Sequence, residues 1–221
     1  MKKIMIIGAN GGTARILINR LLDETTDELV LFLRQAKRLS QYQDNPRVTL
    51  VDGNVLDTEA LRLAMQDIDL VYSNVGGTDL GQQTQSILTA MHEAKQTRLI
   101  FISALGAHHE VPGKFGKWNE QAIAAYLPGF RESAKLLAES DIVYTELRPA
   151  WLTDQTEVAY ETTDVSEPFK GTEVSRASVA DYAFKLIKHP ELAARHSVGL
   201  DKPNTDGDKP VSYTHLTLPT N

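Results

Sequence analysis

Short runs of apolar, often β-branched residues alternate with amphipathic segments along nearly the whole chain. Lys3–Ile7 is a continuous apolar run of the kind buried on both faces of a parallel sheet. A glycine cluster follows, and Ala14–Leu22 then sets Ile16, Leu17, Leu21 and Leu22 at helical spacing. Further strands are predicted at Leu29–Leu33, Val48–Val51, Asp69–Ser73, Arg98–Ser103 and Val143–Leu147, with helices over Gln83–Ala94, Trp118–Leu127 and Arg131–Glu139. Asp57 is placed to cap a helix, with Glu59 in its first turn and Leu56 and Leu61 spaced for a hydrophobic staple. Ser178-Val-Ala-Asp181 has capping-box spacing and predicts a helix to about Lys188, stopped by Pro190.

Strand–helix alternation of this regularity predicts an α/β fold, a doubly wound parallel sheet with right-handed crossovers. The stretch 154–177 breaks the rhythm: it is polar, contains Pro168 and Gly171, and shows no period. A late irregular segment in such a sheet is expected to form a small C-terminal cap over the ligand crevice. Residues 1–210 are thus expected to form a single domain. The stretch 211–221 resembles a translated transposase-based sequencing adapter, so it is expected to be a non-native tail.

Composition narrows the function classes. Hydrophobic residues at 42% and charged residues at 24% match a globular domain with a full core. The chain has no cysteine, which excludes disulfides, zinc–thiolate sites and a cysteine nucleophile. A formal net charge of −6 disfavours a nucleic-acid surface. The first apolar run stops at Gly8, too short for a signal peptide, and no stretch approaches a membrane span, so no membrane association and a cytoplasmic location are expected.

The most informative stretch is Ile6-Ile7-Gly8-Ala9-Asn10-Gly11-Gly12-Thr13-Ala14-Arg15. It lies where a dinucleotide-binding loop belongs, between the first strand and the first helix, with G-x-x-G-x-x-A spacing. Gly8 can turn the chain, Gly11 admits a pyrophosphate, and Ala14 lets helix and sheet pack closely. The N–H groups of the helix start, around Asn10, Gly12 and Thr13, are expected to face the phosphates. The second strand ends Leu33-Arg34-Gln35 with Lys37 and Arg38 close by and no acid. An arginine there suits the 2′-phosphate of NADP(H), where an acid would select NAD(H). The sequence therefore predicts a Rossmann-like domain that prefers NADPH to NADH.

Taken together, these segments resemble the atypical branch of the short-chain dehydrogenase/reductase superfamily, in particular NAD(P)H-binding proteins similar to biliverdin/flavin reductase B and the NmrA-like redox regulators. The resemblance covers Met1 to about Pro210. It rests on the glycine loop, Asp52-Gly53-Asn54-Val55-Leu56-Asp57, Asn74-Val75-Gly76-Gly77, Phe101-Ile102-Ser103 and Thr145-Glu146-Leu147-Arg148-Pro149. It implies that Gly53, Asn54 and Val55 hold the adenine, with Asn54 where the family usually has aspartate. It places Asn74 and Gly76 beside the adenine ribose, and Ser103, Pro149, Ala150 and Trp151 beside the nicotinamide.

The resemblance also implies a serine–tyrosine–lysine relay, in which Ser103 and Tyr126 would be the catalytic serine and tyrosine. Phe130, not lysine, stands four residues after Tyr126, and a phenol of pKa about 10 without a cation is a poor acid at neutral pH. Ser103 with His108 and His109 could instead bind or protonate an acceptor. His108-His109-Glu110 lacks metal-ligand spacing, so no metal is expected. Arg148, before its proline, is expected to anchor a loop through a salt bridge. The sequence supports an NADPH-dependent reductase of a small acceptor such as a flavin or quinone. The other reading is a non-catalytic NADP(H) sensor acting on a protein partner.

Overall fold

The computed structural model describes residues 1–210. In chain order its first half runs β1 (Lys3–Ile7), α1 (Gly12–Glu24), β2 (Glu28–Leu33), a 3-10 segment (Ala36–Tyr42), β3 (Val48–Asp52), α2 (Thr58–Ala64), β4 (Leu70–Ser73), α3 (Leu80–Glu93) and β5 (Arg98–Ile102). Then follow α4 (Gly113–Ala122), α5 (Leu127–Glu139), β6 (Val143–Pro149), β7 (Trp151–Thr153), β8 (Glu161–Asp164), β9 (Glu173–Ser175), α6 (Arg176–Lys188) and β10 (His196–Asp201). Eight strands form one sheet in the order β3-β2-β1-β4-β5-β6-β10-β8, parallel except for β8, which runs antiparallel to β10. This is a Rossmann-like doubly wound sheet, and the strand order reverses between β1 and β4.

Two-residue alternation along each strand divides the core between the two faces. Ile4, Ile6, Leu29 and Leu31 pack with Leu17, Ile18 and Leu21 of α1 and Val179, Ala183 and Leu186 of α6. Met5, Ile7, Val30 and Phe32 pack on the other face with Leu61 of α2, Ile87 and Met91 of α3, and Leu137 of α5. Each such side chain contributes roughly 1.5–3 kcal/mol by leaving water. Both faces being covered explains why these strands read as unbroken apolar runs. Asp57 caps α2 as expected, its Oδ1 accepting from Ala60 N at 3.0 Å.

Several local expectations are corrected. The helix expected over Trp118–Leu127 is broken: α4 ends at Ala122 and α5 starts at Leu127, with Pro128 in its first turn. Proline lacks an N–H and fits a helix start, not a helix interior. Helix α6 is capped three residues earlier than its apparent capping box. Ser175 Oγ accepts from Ser178 N at 2.9 Å, and Ser178 Oγ is free to accept from Ala159 N at 3.0 Å. Leu56 is 43% exposed, so it gives no buried staple to Leu61. The stretch 154–177, expected to be irregular, contains β8 on the sheet edge and β9, which pairs with β7. Strand β10 was not foreseen, because Ser197 and Gly199 interrupt its apolar pattern. A Cβ on Gly199 would lie 2.7 Å from the Phe169 ring, so the small residue is what lets Phe169 pack over the strand. The adapter-like stretch 211–221 lies outside the described residues. Among the described residues no helix is long and apolar enough to cross a membrane.

At the end of β10 a buried carboxylate costs stability. Asp201 Oδ2 accepts from Gly171 N at 2.9 Å, but its Oδ1 has no partner among the described residues. Burial, aided by Glu161 and Asp206, pushes its pKa up to about 6. A carboxyl with a raised folded-state pKa opposes folding when ionised, so its penalty is full above pH 6 and fades as the group protonates below it. Asp201→Asn should therefore stabilise the fold at pH 8 by on the order of 2 kcal/mol, with the gain vanishing towards pH 4. Urea denaturation of both proteins across this pH range measures it.

Candidate functional site

The reversal between β1 and β4 opens a cleft of about 620 Å³ at the carboxyl ends of the strands. Its floor is the glycine loop. Gly8 has φ +73° and donates its N–H to Phe32 O at 3.0 Å. A Cβ on Gly8 would sit 2.7 Å from the Asn74 carbonyl oxygen, and one on Gly11 only 2.1 Å from Asn74 Nδ2. The loops leaving β1 and β4 therefore touch, and no side chain fits between them. Gly11 is the N-cap of α1, which has neither a side-chain cap nor an acid in its first turn. Its exposed N–H groups and positive dipole end suit a phosphate, so the residues present fit a dinucleotide.

One wall comes from the ends of β2 and β3. Asp52 accepts from Gln35 N at 3.1 Å and from Ala36 N at 3.0 Å, stabilising Gln35 in a left-handed conformation. That turn brings Arg34 and Arg38 to the cleft, and among the described residues neither guanidinium is in an ion pair. Asn54 Oδ1 accepts from Leu56 N at 3.1 Å, closing a tight turn, and its Nδ2 remains available as a donor. The opposite wall is the loop after β4, braced by Gln83, whose Nε2 donates to Gly76 O at 3.2 Å and Asp79 Oδ1 at 2.7 Å.

Of the residues singled out in the sequence, Gly8, Asn10, Gly11, Arg34, Gly53, Asn54, Val55, Asn74, Gly76 and Tyr126 line this cleft. Gly12, Thr13, Ser103 and Pro149 do not. Thr13 and Ser103 are buried, Pro149 ends β6, and Gly12 lies against Arg176. Tyr126 is 46% exposed just ahead of α5. Lys135 stands nine positions further on, about 13 Å of helix rise from it. Phe32, Arg38, Leu56, Thr78, Asp79 and Gln83 are also in the lining. Only their places after strand ends could have marked most of them, because their residue types carry no motif.

Past the cleft, beside β5 and β6, lies a buried polar cluster. Ser103 N donates to Leu147 O at 2.7 Å. Glu146 is fully buried, and its Oε2 sits 2.6 Å from both His108 Nε2 and Ser197 Oγ. Burial opposes its ionisation, but hydrogen bonds from His108 and Ser197, with Ser103 facing it, hold its carboxyl below the usual range. Arg148 is also fully buried, pairing through Nη1 with Glu110 Oε1 at 2.5 Å and donating from Nε to Ser197 Oγ at 2.8 Å. Glu110 in turn accepts from Gly106 N and His108 N, both at 3.0 Å. Arg148 thus anchors the loop after β5, as its sequence context suggested. His108 turns inward, whereas His109 points out towards Glu120. Phe115, Trp118 and Trp151 form an aromatic row near the end of β6, with ring centroids 6.2 Å and 4.8 Å apart.

Comparison with known proteins agrees with this geometry. Residues 8–190 match the family described as NAD(P)H-binding. None of the curated proteins matches the sequence significantly. A wide-type short-chain dehydrogenase/reductase from Veillonella parvula DSM 2008, solved in complex with NADP, is 30% identical. The match covers 95% of this chain and 99% of that one, with a TM-score of 0.89. A Rossmann-fold NAD(P)-binding family protein from Shigella flexneri is 39% identical over 95% of this chain and 98% of that one, with a TM-score of 0.80. An anaerobillin reductase from Escherichia coli O157:H7 shares the fold at 23% identity, covering 93% and 99% of the chains with a TM-score of 0.75.

The Arg148–Glu110 pair is wholly out of water, so removing one partner strands a buried charge. Glu110→Ala should cost about 3–5 kcal/mol of unfolding free energy, read by urea denaturation. An exposed pair such as Lys114–Asp208 should cost under about 1 kcal/mol when broken the same way.

Proposed function

The chain belongs to the NAD(P)H-binding family, of the atypical short-chain dehydrogenase/reductase kind, and on that premise we propose that it is an NADPH-dependent reductase of a small, readily reduced acceptor such as a flavin or quinone. The observation that carries the reading is the contrast between the two ends of the site. The adenosine end offers a complete set of groups for NADPH. The phenol where a carbonyl-reducing relay would sit is half-exposed, has Phe130 four residues on, and stands a long way along the helix from Lys135.

Gly8 and Gly11 leave room for the pyrophosphate, and the α1 N-terminus meets its charge. Asn54 and Gly53 border the adenine. Arg34 and Arg38 take the 2′-phosphate, since two unpaired guanidinium groups offer fork-shaped donors where NADH would present only a hydroxyl. When bound, NADPH supplies a hydride from its nicotinamide ring. At that end Ser103 and Pro149, just past the lining of the cleft, would face the ring, and the half-buried rings of Trp118 and Trp151, with centroids 4.8 Å apart, would give a flat aromatic acceptor a surface to stack on. A flavin or quinone reduced by hydride needs only a proton from water, which the partly exposed His108 can pass on, so no activated tyrosine is required. The site therefore takes a small-molecule acceptor in a water-soluble setting, which suits the cytoplasm.

The chain should oxidise NADPH with a flavin or a quinone as acceptor, followed by loss of nicotinamide absorbance, and slowly or not at all with simple aldehydes. Binding of NADPH without turnover of any acceptor would overturn the reductase reading in favour of a sensor that responds to NADP(H) through a protein partner. Arg34→Ala should weaken NADPH binding about tenfold or more and leave NADH binding nearly unchanged, measured by nicotinamide fluorescence. An equal loss for both would rule out the assignment of Arg34 to the 2′-phosphate.

A further inference from the structure

Arg176 is electrostatically misplaced for a structural residue. It is the first residue of α6, where the helix dipole disfavours a cation, and no acid in that first turn compensates for it. Its side chain lies against Gly12, at the start of α1. A Cβ built on Gly12 would lie 2.9 Å from Arg176 Cδ and 3.1 Å from its Nε. The guanidinium thus lies beside the start of α1, whose N-cap Gly11 lines the cleft and carries no side-chain cap. Its only ion-pair partner among the described residues is Asp154, 2.6 Å from Nη1, just after β7. The Asp154 side chain is 91% exposed and that of Arg176 28%. An ion pair with so exposed a carboxylate is weak and readily exchanged.

We propose that Arg176 is a pyrophosphate clamp that exchanges Asp154 for the dinucleotide. The inference rests on the reading of this cleft as the NAD(P)H site. Asp154 holds the guanidinium beside Gly12. When the nucleotide binds, its doubly charged pyrophosphate at the α1 N-terminus accepts the guanidinium N–H groups in place of the single carboxylate, in the bidentate manner arginine favours. The exchange frees Asp154 and with it the chain that leads from β7 into the 154–177 segment. Cofactor binding is thereby coupled to the segment that carries β8 and β9. Arg34 and Arg176 then divide the work: Arg34 reads the 2′-phosphate, which only NADPH carries, and Arg176 holds the pyrophosphate, which both nucleotides share.

The test is the affinity of the full chain and three variants for NADPH and NADH, read by nicotinamide fluorescence, with the thermal midpoint of each unliganded protein as a check on folding. Arg176→Ala should weaken both nucleotides about tenfold and equally, the loss expected for one charge-assisted contact. Arg176→Lys should recover part of that loss. Asp154→Asn should tighten both nucleotides by about two- to fivefold, because the competing carboxylate is gone. Unchanged affinity in Arg176→Ala, a loss confined to NADPH, or weaker binding by Asp154→Asn would each overturn the clamp while leaving the cofactor site intact. Wild-type protein that binds neither nucleotide would overturn the cofactor reading itself and this inference with it. Should Arg176→Ala fail to fold, the sign of the Asp154→Asn effect still decides.

Discussion

The loops that leave β1 and β4 come so close that nothing larger than hydrogen fits between them, and the site depends on that contact. Gly8, at φ +73°, lies too close to the Asn74 backbone to admit a Cβ, and a Cβ on Gly11 would have to displace the Asn74 side chain. The parallel sheet sends α1 to one face and α3 to the other at this point, which is where a doubly wound sheet leaves a crevice. Without the close approach the crevice floor would be occupied by side chains, and the first turn of α1 would be shielded from an anion. With it, the N-terminus of α1 is uncapped and turned towards the cleft.

The acceptor end is organised by a different force. Glu146, Arg148, Glu110, His108 and Ser197 form a hydrogen-bonded network out of water, linking β6, β10 and the loop after β5. Such groups are costly to bury and tolerable only when each charge is met by an opposite charge or several donors. The return is geometric: Ser103 and the loop after it are held in place beside the sheet end, with no helix needed to support them. Phe169, packed over Gly199 and near the Arg148 guanidinium, attaches the 154–177 stretch to the same network.

In the proposed reading the nucleotide is positioned by backbone N–H groups and arginines, none of which belong to α5, so no activated tyrosine is needed. What α5 contributes at its start is a half-exposed phenol at the rim of the cleft.

Much of this was legible in the sequence. Apolar runs gave the parallel strands because a strand covered on both faces must be apolar at every position. The glycine loop and Arg34 could be placed because strand ends and turns are local events that a few residues specify, and Asn54 and Asn74 through the family resemblance of their segments. The finer boundaries depended on competition between neighbours: Pro128 divided a helix that periodicity alone would continue, and Ser175, not Ser178, won the cap of α6. Strand β10 escaped notice because its small and polar positions are explained only by Phe169 and the buried cluster, which come from distant parts of the chain. The same holds for the pairing of Glu146 with His108, 38 residues apart, and for Arg176 over Gly12. The sequence by itself determined the elements, their order and the nucleotide loop, since these follow from short-range sterics and from which surfaces must leave water. The tertiary structure alone decided which buried charges meet and which arginine lies against Gly12, since such contacts depend on distances that no local pattern encodes.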